Sequence, residues 1–550
     1  QAAFFGSGGF VAAYLLTVPV TENAILALIA GTVVAALFGI VIGMLSLRRS
    51  GIYFAMLTLA FGEMFFFLDI SPLARWTGGE NGLAGVPTPR LGFGSLPLDI
   101  KTPMAMYWLL AVLFFLGFLL AYRIIRSPFG LILRSIRENS DRASAVGHDV
   151  QKYKLAIFII AAAYGGLAGG LLGLLQGYMP PDAFYLDTSG QLVVQTVIGG
   201  AGTLLGPLIG AWVWLYLYII LQSVPGVGGL WKMILGIVFV LLVTVLRRGI
   251  CGGIFVLWQR WRGAGAPAAA IAPAPSELPA AGTIPDRRRA PLDGKVVLEA
   301  TDLSKRYGGL VAVDHVSFQV VEGEVRALIG PNGAGKTTFF NMLAGTVPPS
   351  GGEVRFQGER ITGLGVSAIC QRGLAKSFQI NQLFPSLSVA DNIAIAALAR
   401  RNGRFSPAML RDVARTPGLD ALVAETLAAV ELTAQAAMPA SALAYGDKRR
   451  LEIGLALATR PSVLLLDEPM AGMAPHERFS TVALLKRIAQ GISIVIVEHD
   501  MDVVFELADR ITVLYNGRTI AEGAPEAIQA DPQVRAAYLG SPVDHEPARA

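Results

Sequence analysis

The residues with the most specific chemistry stand together at Gly330-Pro-Asn-Gly-Ala-Gly-Lys336-Thr337-Thr338, between an apolar run at Val325 to Ile329 and a helical pattern at Phe339 to Ala344. Glycines at Gly330, Gly333 and Gly335 let backbone N–H groups turn toward one centre, and a helix starting there adds its partial positive charge. Such a loop cradles phosphate, with Lys336 as a point charge on the outer phosphates, Thr337 as a hydroxyl ligand for Mg²⁺, and Asn332 and Thr338 completing the expected binding set. A second carboxylate-bearing segment, Val463-Leu-Leu-Leu-Asp467-Glu468, reads as a buried strand ending in two acids. In one chain with Lys336 it suits a Mg²⁺-associated Asp467 and a water-polarising base at Glu468. His499 follows the apolar strand Ser493 to Val497 and is suited to a γ-phosphate contact beside the attacking water, although a lone His reads more readily as structural.

These groups need a rigid scaffold, and from Lys295 onward short β-branched runs alternate with helical patterns, the pattern of an α/β domain. The N-terminal half differs. Of 550 residues 53% are hydrophobic and only 15% charged, and the apolar excess is concentrated before Trp261. Runs at Ala24–Leu47, Ile52–Leu68, Met104–Ile125, Leu155–Leu175, Thr203–Leu221 and Leu230–Leu246 are long enough to span a bilayer. Phe10 to Val20 reads as the remainder of another helix, and Gln191 to Ile198 as a short crossing rather than a returning hairpin, giving seven or eight segments in all. Arg48, Arg49, Arg123, Arg126, Arg134, Arg137, Arg142, Arg247 and Arg248 fall in short loops or just past helices, which places those loops on the cytoplasmic side. The net charge of +5 is explained there without nucleic acid.

Between the third and fourth of those long runs lies Ser127 to Gly147, where Leu131, Leu133, Ile136 and Ala143 interleave with Arg134, Arg137 and Arg142. The pattern suits short amphipathic helices that dock on a partner, and a basic loop that only fixes topology reads equally well from these residues. Glu63, inside an apolar helix, either lines a translocation route or is hydrogen-bonded between helices, the second being preferred. Gly199, Gly200, Gly202, Gly206 and Gly210 suit close helix packing. Cys251 and Cys370 have neither disulfide nor metal spacing and read as structural, and His148, His315, His476 and His545 as packed or solvated. The Ala- and Pro-rich stretch 263–293 is a tether. The division is therefore an all-α polytopic membrane domain over 1–262, the tether over 263–293, an α/β P-loop domain over 294–541 and a tail over 542–550; the resemblances below make the first a permease domain and the third an ATP-binding cassette domain.

The N-terminal half resembles the permeases of the hydrophobic, branched-chain amino-acid uptake family of ABC importers. The resemblance is carried by Leu47 to Glu63, Thr77-Gly-Gly-Glu-Asn-Gly-Leu-Ala-Gly85, Ser127 to Gly147 and Val197 to Gly210. It implies that Ser127 to Gly147 docks into an ATPase, and that helices before Gln1 are absent. The C-terminal half resembles the ATP-binding cassette, by Tyr307, the Lys336 loop, Ser377-Phe-Gln379, Leu443-Ala-Tyr-Gly-Asp447-Lys-Arg-Arg450, Asp467-Glu468 and His499. The resemblance implies adenine stacking on Tyr307 placed before the first strand, and Gln379 at the Mg²⁺ and sensing the permease. It also implies two cassettes enclosing two ATPs, with Ala444, Tyr445, Gly446 and Asp447 acting on nucleotide held by the opposite cassette. Ala444, Tyr445 and Asp447 depart from the general Leu-Ser-Gly-Gly-Gln signature in the way ATPases of this importer subfamily often do, and Ala474 stands where many relatives carry Asp or Asn. The implied function is ATP-driven import of leucine, isoleucine and valine or related small solutes across a bacterial plasma membrane. Urea or short-amide import, an exporter, and a non-transporting membrane ATPase are the alternatives. The implied partners are a second permease, a second ATPase, an extracytoplasmic solute-binding protein and membrane lipid.

Overall fold

The computed structural model describes residues 1–18, 23–87, 90–91, 98–99, 102–223, 230–246, 249–261, 294–377, 382–401, 407–410, 412–413 and 416–539. The chain forms two compact units. The first comprises Gln1–Ile125 and Gln151–Pro267, and the second Arg126–Val150 and Ala268–Ala550.

The first unit is helical: α1 (Ala2–Thr17), α2 (Ala24–Ser46), α3 (Ile52–Ile70) and α4 (Pro103–Ile125) lead in the chain to the excursion into the second unit. That excursion carries α5 (Pro128–Glu138) and α6 (Ser140–Ala145). The chain then continues as α7 (Val150–Gln176), α8 (Leu186–Gly199), α9 (Gly206–Ser223), α10 (Trp231–Val245) and α11 (Gly249–Trp261). Among the described residues, six spans are long and apolar enough to cross a membrane: Ala24–Ser46, Ile52–Ile70, Pro103–Ile125, Val150–Gln176, Gly206–Ser223 and Met233–Phe255. Two expectations need correction. The helix expected from Phe10 begins at Ala2, and its Gly6, Gly8 and Gly9 serve packing. A Cβ on Gly8 would lie 2.3 Å from the Gly166 Cα of α7, and one on Gly31 in α2 would lie 2.3 Å from the Gly8 carbonyl oxygen, so backbone meets backbone in this three-helix core. Second, Gly249–Trp261 is a helix where no element was expected.

The segment around Gln191 is α8, which runs antiparallel to α9 through glycines. Cβ atoms on Gly199 and Gly210 would lie 1.6 Å from the Gly206 carbonyl oxygen and 1.8 Å from that of Gln195. At its start the Ser189 hydroxyl accepts a hydrogen bond from the Ala2 N–H, and at its end Gly200 touches Gly249. The 14 residues of α8 cover about 21 Å at the usual rise, less than a bilayer core. Just before it, β2 (Tyr178–Met179) pairs antiparallel with β1 (Leu83–Ala84) of the earlier loop. Glu63 is exposed on α3, so the preferred reading of a carboxylate held between helices is not met by the described helices of this chain.

The second unit is an α/β domain. Strands β3 (Val296–Tyr307), β4 (Leu310–Val321), β6 (Gly351–Phe356) and β7 (Glu359–Arg360) form an antiparallel sheet in the order β4-β3-β6-β7. A six-stranded sheet combines β5 (Val325–Ile329), β8 (Leu374–Lys376), β9 (Val463–Asp467), β10 (Ser493–Val497), β11 (Arg510–Tyr515) and β12 (Arg518–Gly523) in the order β8-β9-β10-β5-β11-β12. All its pairings are parallel except β11 with β12. Every residue of β5, β9 and β10 is buried, as central parallel strands covered on both faces require. One face packs against β3, β4 and α12 (Lys336–Leu343), the other against α15 (Tyr445–Ala458) and α16 (Pro475–Ala489). Helices α13 (Val366–Arg372) and α14 (Val389–Arg401) lie between these in sequence.

Candidate functional site

The carboxyl ends of β5, β9 and β10 converge on one edge of the parallel sheet, where open α/β sheets place their ligands. From β5 the chain enters the Gly-rich loop, and Gly335 caps α12 at φ 96°. Side chains are excluded there, since a Cβ on Gly335 would lie 2.3 Å from the Ala312 carbonyl oxygen and one on Gly330 2.2 Å from that of Leu514. Asn332, Gly333 and Thr337 are exposed and Thr338 is half-buried, so the loop presents its backbone and hydroxyl groups outward. Lys336 is buried and folds back to donate to the carbonyl oxygens of Gly330 at 2.6 Å and Pro331 at 2.9 Å. Burial lowers its pKa, and the nearby Glu468 and Asp467 raise it.

Asp467 ends β9 and Glu468 follows at φ 47°, a left-handed backbone pose unusual for a residue with a Cβ. The pose is clamped on both sides: the Glu468 N–H donates to Val497 at 2.8 Å, and its carbonyl accepts from Arg449 Nη2 at 2.7 Å. The Glu468 Oε1 lies 2.8 Å from His499 Nε2. Asp467 is 3% exposed, and its Oδ1 has no hydrogen-bond partner among the described residues. Burial raises its pKa against the opposing charge of Lys376, whose Nζ is paired with Asn341 Oδ1. A buried carboxylate oxygen without a donor, with the exposed Thr337 hydroxyl on the neighbouring loop, fits a hard divalent cation.

The structure thus brings together Lys336, Asp467, Glu468 and His499. Tyr307 does not precede the first strand as expected but is the last residue of β3, where its half-exposed ring carries Lys305 Nζ at 5.1 Å from the centroid. The signature residues group with the loop after Glu468: Ala444 caps α15, Tyr445 Oη donates to the Ala471 carbonyl at 3.1 Å, and Gly446 is buried where a Cβ would meet Glu477 at 2.4 Å. Asp447 lies in the first turn of α15. Gln379 falls outside the described residues.

Three residues not assigned a role from sequence support this loop. Arg449, fully buried in α15, donates to the carbonyl oxygens of Asp467 at 2.8 Å, Glu468 at 2.7 Å and Pro469 at 3.1 Å, and pairs with buried Glu452 at 2.5 Å. The Glu498 carboxylate accepts from the Met470 and His499 N–H groups at 2.8 and 3.1 Å. The RR dipeptide within the signature was the available signal for Arg449, but its direction into the core depends on α15 packing over β9.

The second unit also contains the Ser127 to Gly147 stretch, which forms α5 and α6 as the amphipathic pattern predicted. Phe129, Leu131, Ile132 and Ile136 are buried while Arg134 and Arg137 are exposed. Ser127 caps α5 and Asn139 caps α6. The segment is bound to the cassette by polar contacts as well. Glu138 pairs with Ser386, Gln371 Nε2 donates to the carbonyls of Gly147 at 2.8 Å and Ala399 at 2.6 Å, and the Val413 N–H donates to the Arg126 carbonyl at 3.3 Å. Of the two readings left open, docking is the one the structure displays, and the partner is the cassette of the same chain. His148 is packed here, with Nε2 2.9 Å from the Ile395 carbonyl oxygen. Cys370 is buried at the same junction.

Burial pushes His148 down from 6.5 to about 4. Its imidazole is neutral when docked, so an undocked or unfolded chain binds the proton first. The docked state is therefore fully stabilised above about pH 6.5 and loses that contribution as pH falls toward about 4. Local opening of 126–150, read as hydrogen exchange corrected for its intrinsic pH dependence, is expected to rise between about pH 7 and about pH 5, and His148→Gln to flatten the rise. An identical rise in the variant would show that other groups control docking.

Residues 1–243 match the family described as the permease component of branched-chain amino acid transport systems. Residues 313–471 match the ABC transporter family, and 518–544 the branched-chain amino acid ATP-binding cassette transporter family. The high-affinity branched-chain amino acid transport ATP-binding protein BraF of Pseudomonas aeruginosa is 40% identical over 249 residues, covering 44% of this chain and 98% of that protein. The chain belongs to the branched-chain amino acid ABC transporter family. The corresponding protein LivG of Escherichia coli is 38% identical over the same length. A crystal structure of a nucleotide-free ATP-binding cassette from an ABC transporter is 29% identical, covers 44% of this chain and 99% of its own, and superposes with a TM-score of 0.39. This family member is accordingly a multi-pass membrane protein in which a permease is fused to a cytoplasmic, nucleotide-binding and ATP-hydrolysing cassette.

Proposed function

We propose that the chain is one half of an importer that couples ATP hydrolysis to uptake of branched-chain amino acids. The observation that carries this reading is the joint match of a branched-chain permease over 1–243 and a branched-chain transport cassette at 40% identity on one polypeptide. In this reading the Lys336 loop holds the triphosphate through backbone N–H groups and the Lys336 charge, with the Lys leaving its Gly330 and Pro331 carbonyl partners for the incoming phosphate oxygens. Tyr307 offers an aromatic face to adenine. Thr337, Asp467 and Gln379 would hold Mg²⁺, which when bound neutralises charge on the phosphate oxygens. Glu468 accepts the proton of the attacking water, and His499, on the same carboxylate, fixes its direction. Ala444, Tyr445, Gly446 and Asp447 act on nucleotide in a second cassette. The other partners are a second permease and an extracytoplasmic solute-binding protein, and the cargo is leucine, isoleucine or valine.

Uptake of radiolabelled leucine, with urea for comparison, in cells expressing the full-length gene with its neighbouring subunits tests the reading. ATP-dependent leucine accumulation is expected. Accumulation of urea alone would change the cargo, and accumulation of neither would overturn import of these solutes.

A further inference from the structure

Among the basic residues of the docked segment, Arg142 stands apart. Arg134 and Arg137 are solvated, whereas the Arg142 side chain has no exposed surface and is inserted into the cassette. Its Nη2 donates to the Glu452 carbonyl oxygen at 3.2 Å, across 310 residues of sequence. Taking a guanidinium out of water disfavours its charged form, and the Glu452 carboxylate beside it offsets that cost while Arg449 adds to it. Glu452 therefore stands between two buried arginines, Arg142 from the docked segment and Arg449 from α15.

Arg449 continues the connection into the site. Three of its hydrogen bonds go to consecutive backbone carbonyls, at Asp467, Glu468 and Pro469. One of these residues, Glu468, holds a left-handed pose that persists only where its surroundings impose it. The Arg449 guanidinium is one of the groups that impose it, and Glu452 fixes where that guanidinium sits.

We propose that Arg142 is a positioning residue for ATP hydrolysis: through Glu452 and Arg449 it sets the backbone pose of Glu468, so that movement of the segment between α4 and α7 is read at the catalytic carboxylate. This route enters the site through α15. Arg142 has two properties a coupling element needs. It is covalently tied to helices of the permease unit on both sides, and it is fully desolvated, so a small displacement exchanges a satisfied hydrogen bond for a buried donor without one. The Glu452 carboxylate pairs with Arg449 Nη1 at 2.5 Å, and withdrawal of Arg142 takes one of its two buried cationic neighbours away.

The proposal rests on the reading that the two halves work as one transporter. The test uses the full chain assembled with its neighbouring subunits in lipid nanodiscs, with the kcat and KM for ATP measured per assembled complex. Arg142→Met is expected to lower kcat by about fivefold or more with KM for ATP changed by less than about twofold, and Arg142→Lys to fall between it and the unaltered protein. Phe129→Ala, which removes buried packing from α5 and leaves Arg142, Glu452 and Arg449 unaltered, is the control for docking alone, and its complexes are expected to keep their kcat. Arg449→Lys is expected to lower kcat, and the double variant with Arg142→Met to fall no further than the stronger single change.

An unchanged kcat in Arg142→Met, an equal loss in Phe129→Ala, or effects that multiply in the double variant would each overturn the proposal. Where Arg142→Met fails to assemble, Arg142→Lys decides by the same division between kcat and KM. Absence of ATP turnover in the unaltered chain would sink the transporter reading itself, an outcome distinct from turnover that is insensitive to Arg142.

Discussion

Glu468→Gln is expected to reduce ATP turnover by about 10²- to 10⁴-fold while leaving nucleotide binding intact, the range a positioned general base contributes. The replacement keeps size and a hydrogen-bonding oxygen for His499, whose Nε2 lies 2.8 Å from Oε1, and it keeps the backbone clamps from Val497 and Arg449. What it removes is the capacity to accept a proton from water. The Lys336 loop is untouched, so affinity for ATP is predicted to stay within about threefold, since that contact set is uniform between ground and transition states. Single-turnover hydrolysis beside equilibrium nucleotide binding separates the two effects. Turnover close to that of the unaltered protein would show that another group accepts the proton.

The second large effect is on stability. Arg449→Met is expected to destabilise the cassette by about 3–5 kcal/mol, because it leaves the Glu452 carboxylate buried without its nearest cation and three carbonyl oxygens without their donor. Methionine fills much of the volume, so the loss is electrostatic more than steric. Arg450→Met is the matched comparison one residue along. Arg450 is partly exposed and pairs with the half-exposed Glu431 at 3.2 Å, a surface pair worth about 0–1 kcal/mol. Hydrogen exchange of β9 and α15 in the full chain reads the difference. Equal protection in the two variants would mean that water reaches Glu452 once Arg449 is gone.

Much of the site is local in sequence, and this explains why it was legible. Lys336 follows Gly330 by six residues and Glu468 follows Asp467 by one, so strand, loop and helix start place these groups almost independently of the rest of the chain. The strands Val325–Ile329, Val463–Asp467 and Ser493–Val497 are apolar apart from Arg326, Asp467 and Ser493, because both their faces are covered. Tyr307 was misplaced because β3 is irregular and long, with repeated register shifts against β4 that the sequence pattern does not report. Helix α1 has 16 residues, fewer than a bilayer span needs, so its start carries no span-length signal in the sequence.

The amino-acid sequence by itself determined a membrane half, a phosphate-binding cassette and an amphipathic segment between them, since each rests on periodicity, composition or spacing within a few turns of chain. Only the tertiary structure decided that the amphipathic segment seats on the cassette of its own chain, that Arg142 alone of its arginines is buried, and that Arg449 holds the backbone of Glu468. The reason is physical: an arginine's side chain carries the same charge in water and in a core, and what separates the two is the partner brought to it by folding, here a carbonyl oxygen 310 residues away.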